Sequence, residues 1–353
     1  MTDNLEERIM ERINLFEEEG VSEYRPLDDE VDNYIDFAKH PERRVYTGIA
    51  AIDAQTRGLA PSELLIVSGF AHNGKTVLTV EIILANEGAN CVFFTPDETR
   101  TVVLAKLSSA LYGVSAEEIE RRLAAGDEDT IAMLRTVAAR FRNLAVYDDN
   151  ATLHSMDKAV DDVTAAWGAP PKYAIFDYAD LLSYDGDVMA KIDELKRWGK
   201  KHKLPFIVLH QSSRSSGAGG KKVSITSGAY GGDKQAFIMI GVRRKINLLL
   251  AQIEMLEEKL ETTQREDTAR QIRQKIQEIQ EDQIPRHRNT ITINLVKNKR
   301  PPMNLVDDLD FRLNQETGRI VPVFKYDPDE EPSLPIEETF TTGKSARELL
   351  GGS

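Results

Sequence analysis

Cysteine is almost absent from this chain: Cys91 is the only one in 353 residues. No disulfide can form within the chain, and a cysteine zinc cluster is excluded. Histidine is scarce too, with six residues and no His-x-x-x-His spacing to suggest a metal pair. No apolar run approaches the roughly 20 residues that a membrane span requires. The first residues are acidic rather than signal-like. These absences make a cytosolic protein the default expectation.

Basic charge is in deficit overall, with a net charge of -13, but the deficit sits at the ends. Residues 1–42 carry a balance of -10, residues 327–338 carry -6, and the body 43–326 is slightly basic at +2. A slightly basic body between acidic ends is compatible with polyphosphate partners.

Leu5, Ile9, Ile13 and Phe16 recur at helical spacing and predict an amphipathic helix over 3–19. Residues 20–45, with Gly20, Pro26 and Pro41, read as a linker. From Val45 onward, short apolar runs alternate with helical stretches. Strands are predicted at 64–69, 90–95, 144–149, 173–178 and 205–210. Helices are expected at 75–86, 102–111, 154–167 and 187–202. Strand–helix alternation predicts an α/β fold with a mostly parallel sheet covered on both faces. Two further strands, 236–242 and 290–296, close the body at the sheet edge.

Between those two strands the pattern changes. Ile246, Leu249, Ile253, Leu256 and Leu260 are spaced 3-4-3-4, and Ile272, Ile276 and Ile279 resume at 4-3 after a polar turn. This is a coiled-coil seam, so an inserted antiparallel helical hairpin is expected over 243–285. It serves either as a stabilising insertion or as a contact for a replication partner or DNA.

One motif carries explicit chemistry. Gly69-Phe70-Ala71-His72-Asn73-Gly74-Lys75-Thr76 follows an apolar strand and precedes a helix opening at Lys75-Thr76-Val77. That context makes it a phosphate loop: backbone N–H groups and the helix N-terminus converge on phosphates, Lys75 reaches the β and γ groups, and Thr76 ligates Mg²⁺. The expected ligand is a nucleoside triphosphate, ATP with Mg²⁺. Asp177 ends the apolar strand YAIFDY, a position suited to holding Mg²⁺ opposite a phosphate loop. Asp97 and Glu98 end another strand, and either is placed to polarise an attacking water or to cap the following helix. Gln211, at the end of PFIVLHQ, is placed to sense the γ-phosphate.

The run RVYTGIAAIDAQTRGLAPSELLIVSGFAHNGKT resembles the entry to the ATPase domain of DnaB-type replicative helicases and their RecA-fold relatives. FDYADLL resembles that family's Mg²⁺ strand and LHQSSR its glutamine motif. ITINLVKNKRPP resembles the basic strand end that supplies finger residues in trans. The resemblance implies a RecA-like fold over 43–326, with an acidic linker region at 1–42 and an acidic tail at 327–353. It also implies a homo-oligomer, a hexameric ring, with hydrolysis completed between subunits. Lys299 or Arg300 is then the finger, although the family's K-x-R pattern appears here as Lys297-Asn298-Lys299-Arg300.

In such ring motors the Gly- and Ser-rich stretch Arg214–Gly232, with Arg214, Lys221 and Lys222, lines the DNA channel. The resemblance begins near residue 43, so the chain is expected to lack the N-terminal helical domain of cellular relatives, as in compact phage or plasmid helicases, which would place the protein in a host cytoplasm. The function implied is an ATP-dependent DNA helicase that moves on single-stranded DNA. Three alternatives use the same scaffold. One is a RecA-like recombinase or recombination mediator. Another is a nuclease using Asp177, Asp180, Asp185 and Asp187. The third is a slow ATPase indifferent to DNA.

Overall fold

The structure is a computed structural model that describes residues 27–211 and 232–323. The helix expected at 3–19, the Arg214–Gly232 stretch up to residue 231, and the acidic tail lie outside the described residues. Backbone contacts divide the chain into two units, Met1–Pro41 and Glu42–Ser353.

The first unit contains helix α1 (Glu30–Lys39), preceded by a 3₁₀ turn at Leu27–Asp29. The helix takes the place of the expected linker. It forms because Val31, Tyr34 and Ile35 share one side at helical spacing, with acids at its start and Lys39 at its end, where the macrodipole favours them. Leu27, Val31, Tyr34 and Ile35 are all exposed.

The second unit is built on one nine-stranded sheet in the order β3-β2-β4-β5-β1-β6-β7-β8-β9. The strands are β1 (Leu64–Gly69), β2 (Cys91–Phe94), β3 (Leu144–Tyr147), β4 (Tyr173–Phe176) and β5 (Phe206–Gln211), then β6 (Ile238–Arg244), β7 (Thr290–Asn298), β8 (Val306–Leu313) and β9 (Ile320–Pro322). The first six are mutually parallel, and β7 to β9 continue antiparallel. The parallel strands are apolar on both faces because helices cover both. Alternate residues go to opposite sides: Leu65, Val67, Phe93, Ile175 and Ile207 to one core, Leu64, Ile66, Val92, Phe176 and Val208 to the other.

Helices α3 (Lys75–Ala85), α4 (Arg100–Tyr112) and α6 (Glu128–Arg140) pack the first face through Leu78, Ile82, Val103, Leu107 and Val137. Helices α7 (Leu153–Trp167) and α8 (Val188–Lys201) pack the second through Met156, Val160, Ile192, Leu195 and Trp198. Two shorter helices accompany these, α2 (Ala50–Thr56) and α5 (Ala116–Ala124).

The strands β6 and β7 are interior, not edge, strands, because β8 and β9 lie beyond them. The hairpin between them consists of α9 (Lys245–Thr262) and α10 (Glu266–Glu278). Its seam holds Leu249, Ile253 and Ile279, flanked by Leu256, Ile276 and Ile284. Ile284 comes five residues after Ile279, out of step with an α-helical seam. A π-turn at Ile279–Gln283 absorbs the extra residue and returns Ile284 to the packed side.

The segment ahead of β1 is fixed by a buried carboxylate. Asp53 on α2 accepts from Thr47 N (2.8 Å), Thr47 Oγ1 (2.9 Å) and Gly48 N (3.0 Å). Burial outweighs these bonds and pushes its acid up to about 6. Below the unfolded value near 3.8 both states are protonated; between 3.8 and about 6 only the unfolded state ionises, so this group's contribution to stability is lost as pH rises through that window. Asp53→Asn does not titrate. The wild type should therefore lose ground to it between pH 4 and pH 7, by up to about 3 kcal/mol. Urea unfolding at both pH values checks the sign; a constant difference would contradict it.

Candidate active site

Four adjacent parallel strands, β2, β4, β5 and β1, end on one edge of the sheet, and the functional side chains gather there. At the end of β1 the chain turns through residues 70–74 into α3. Gly69 and Gly74 are sterically required. A Cβ on Gly69 would lie 2.5 Å from the Val242 carbonyl oxygen, and one on Gly74 would lie 2.5 Å from Ile291 Cδ1. Gly74 also has φ +90°, in the left-handed region that glycine tolerates. The loop passes from strand to helix and leaves the first N–H groups of α3 facing forward, the arrangement that binds anions.

Lys75 is the first residue of α3 and is buried, and its ammonium donates to the carbonyl oxygens of Gly69 and Phe70, both at 2.9 Å. Burial lowers its pKa to about 8, against the pull of Asp177 and Asp180. Thr76 is half-buried beside it, and Val77 packs against the core. Phe70 and Asn73 are buried, while His72 is exposed with φ 61°.

Asp177 follows β4 directly, buried, with its N–H donating to Phe94 O at 2.9 Å. Burial is the main cause that pushes its acid up to about 7. Glu98 adds to the shift, Lys75 and Lys106 oppose it, and Asp97 adds a smaller push. Of the two candidate acids after β2, Glu98 is the half-buried one and Asp97 is exposed. Glu98 Oε1 pairs with Lys106 of α4, while Glu98 Oε2 is buried with no partner among the described residues. Of the two, Glu98 acts on the Asp177 carboxyl more strongly than Asp97 does.

Gln211 pairs in register with Gly69, which places it beside the mouth of the phosphate loop. Two neighbours were not assigned to the nucleotide site from the sequence, although Asp180 was named with Asp177 in the nuclease alternative. His210 is 1% exposed, and neither ring nitrogen has a partner among the described residues; burial lowers its pKa, which Asp180 opposes and Lys75 reinforces. Asp180 likewise has a buried oxygen, Oδ2, without a partner among the described residues. The signal that could have found them is position: each sits close to a strand end on this edge.

The site suits Mg²⁺ accompanying phosphates rather than a cage of its own. Asp177 and Glu98 crowd negative charge at this edge, and such crowding is what a hard dication relieves. Among the described residues no group of three or more His, Cys, Asp or Glu side chains could hold a metal ion alone. The nuclease cluster does not assemble: Asp185 and Asp187 are exposed, and Asp187 caps α8 by accepting from Ala190 N at 2.9 Å.

The two finger candidates separate. Lys299, just beyond β7, is exposed. Arg300 is buried: it pairs with Glu63, donates to Gly58 O at 3.2 Å and lies over the Phe237 ring at 5.3 Å. Arg300 is bound to its own body, whereas Lys299 is exposed. Arg214, Lys221 and Lys222 lie outside the described residues.

The DnaB-like helicase C terminal domain family matches residues 44–228. Two solved structures share the fold. One, described as an ATPase domain, has 13% identity and a TM-score of 0.62, covering 86% of this chain and 100% of that one. A DnaB-like replicative helicase, whose structure is described with its interactions with primase, has 14% identity and a TM-score of 0.61, covering 90% of this chain and 71% of that one. No curated protein matches the sequence.

Proposed function

The chain belongs to the DnaB-like helicase C-terminal domain family, and from that membership we propose that it is an ATP hydrolase that drives a ring of like subunits along single-stranded DNA and unwinds duplex. One observation carries the reading: the phosphate loop, Asp177, Glu98 and Gln211 meet on the same edge of four adjacent strands.

Arriving phosphates replace the Gly69 and Phe70 carbonyls as partners of the Lys75 ammonium. That exchange trades neutral acceptors for charged ones, which strengthens the bonds. The loop N–H groups and the start of α3 hold the β- and γ-phosphates. Thr76 and Asp177 would hold Mg²⁺, which when bound neutralises charge building on the transferring phosphoryl group. Glu98, whose Oε2 has no partner among the described residues, orients the attacking water. Gln211 lies next to Gly69 and leads directly into the stretch carrying Arg214, Lys221 and Lys222, so the state of the γ-phosphate passes to the DNA-binding segment.

Lys299 is the finger that reaches the neighbouring subunit's site. It occupies the third position of Lys297-Asn298-Lys299, where the resembling pattern has arginine. A lysine there supplies a point charge in place of a bidentate fork. The exposed stripe of α1 and the stripe expected at 3–19 pack on adjacent subunits, and the hairpin offers a surface to a replication partner. No helix among the described residues is long and apolar enough to cross a membrane. On this reading the protein acts where DNA is replicated, in the cytoplasm of a host cell.

The test is steady-state ATP hydrolysis with and without single-stranded DNA. Stimulation of about tenfold or more is the expected result, since chemistry is coupled to stepping. A rate indifferent to DNA would favour a slow ATPase with another role.

A further inference from the structure

The phosphate loop touches the hairpin's attachment at three points. Gly69 lies against the carbonyl of Val242 on the strand that enters the hairpin, and Gly74 lies against Ile291 on the strand that leaves it. Between them, Asn73 is fully buried, and its Oδ1 accepts from Arg244 N at 3.2 Å and Asn247 Nδ2 at 2.6 Å. Arg244 is the last residue of β6 and Asn247 lies in the first turn of α9.

The attachment has no slack. β6 ends at Arg244 and α9 begins at Lys245, with no intervening loop. Arg244 also donates to Arg288 O at 2.9 Å, clasping the entry of the hairpin to its exit. Arg243 pairs with Asp308, and Lys245 with Asp310 at 2.6 Å, fixing both to β8. Any tilt of the hairpin therefore displaces backbone at Val242–Arg244, which is the backbone the loop leans on. Packed contacts of this kind transmit displacement rather than absorb it.

We propose that Asn73 is a positioning residue that couples the phosphate loop to the root of the helical hairpin, so that nucleotide in the loop and displacement of the hairpin bias one another. The inference rests on the phosphate loop being the ATP site. A partner gripping the hairpin would then change the affinity for ATP, and by reciprocity ATP would change the affinity for that partner. Asn247, outside the loop and half-buried, is the residue through which this coupling can be cut without touching the phosphate contacts.

The experiment is amide hydrogen exchange over residues 242–250 and 286–292 of the full chain, with and without a non-hydrolysable ATP analogue and Mg²⁺. Wild type, Asn247→Leu and Asn247→Asp are compared, the last two removing the donor at nearly constant volume. In the wild type the analogue should slow exchange at the root about tenfold or more. In both variants that slowing should shrink severalfold, while KM for ATP rises by about five- to tenfold and kcat at saturation stays within about twofold. Equal slowing in the variants, or parallel losses in kcat and thermal midpoint, would mean that Asn247 is merely structural. If the variants fail to fold, the wild type alone decides: analogue bound with unchanged exchange at the root overturns the coupling. A wild type that binds no analogue would instead overturn the ATP reading itself, and the coupling with it.

Discussion

Lys75→Ala should reduce ATP hydrolysis by about two to three orders of magnitude while leaving the fold intact. The ammonium is a cation placed within the phosphate loop itself, and removing a preorganised charge from a transferring phosphoryl group has an effect of that size. Stability should hardly change. Burial already taxes the charge, lowering its pKa to about 8, and its partners in the resting state are two loop carbonyls. Its removal leaves Asp177 with less opposing charge, so that acid protonates still more readily. Phosphate release and thermal unfolding, measured on the same preparation, check both halves. Near-normal turnover in a folded Lys75→Ala protein would contradict the site.

Lys299→Ala and Arg300→Ala should fail in opposite ways. Lys299 is exposed, so its removal should leave unfolding unchanged, yet hydrolysis should fall by about three orders of magnitude, the usual scale for a finger acting in trans. ATP binding should persist. Arg300→Ala should instead destabilise the fold by about 2–3 kcal/mol, because the half-buried Glu63 loses its cation and keeps only the Ala60 N–H. Burial pushes the Glu63 acid up and Arg300 opposes that shift, so this carboxyl should protonate more readily in the variant. Mixing Lys75→Ala with Lys299→Ala should restore part of the activity, since some interfaces then contain one intact set. No rescue among exchanging subunits would mean that Lys299 acts in cis. Kinetic loss in Arg300→Ala with unchanged stability would return the finger to that residue.

The adjacency of these two residues explains what the sequence conceals. Lys299 and Arg300 read as one basic cluster, but one is exposed and the other buried, and only packing against Glu63 and Phe237 distinguishes them. Asp97 and Glu98 pose the same difficulty at β2: only the pairing of Glu98 with Lys106, eight residues further along, and its greater burial set the two apart. The phosphate loop was legible because its chemistry fixes both spacing and context. The parallel strands were legible because burial on both faces leaves unbroken apolar runs such as LLIVSG and YAIF.

The strand β8, VDDLDFRL, was not. Its charges pair across the sheet with Arg243 and Lys245, so the alternation that marks a strand is blurred. Helices α5 and α6 escaped because each buries few side chains, Ile119 in one and Thr130 with Val137 in the other. The hairpin seam was visible, but its placement between interior strands depended on β8 and β9. Asn73, in the middle of a recognised motif, was read only as part of the loop, because its partners Arg244 and Asn247 are more than 170 residues away.

The most direct test of the central claim is strand displacement from a forked DNA duplex by the full chain with ATP and Mg²⁺. Displacement should require hydrolysable ATP and single-stranded arms, and should vanish with Lys75→Ala. DNA-stimulated hydrolysis without displacement, accompanied by pairing or exchange of homologous strands, would contradict the helicase reading and identify a recombinase on the same fold.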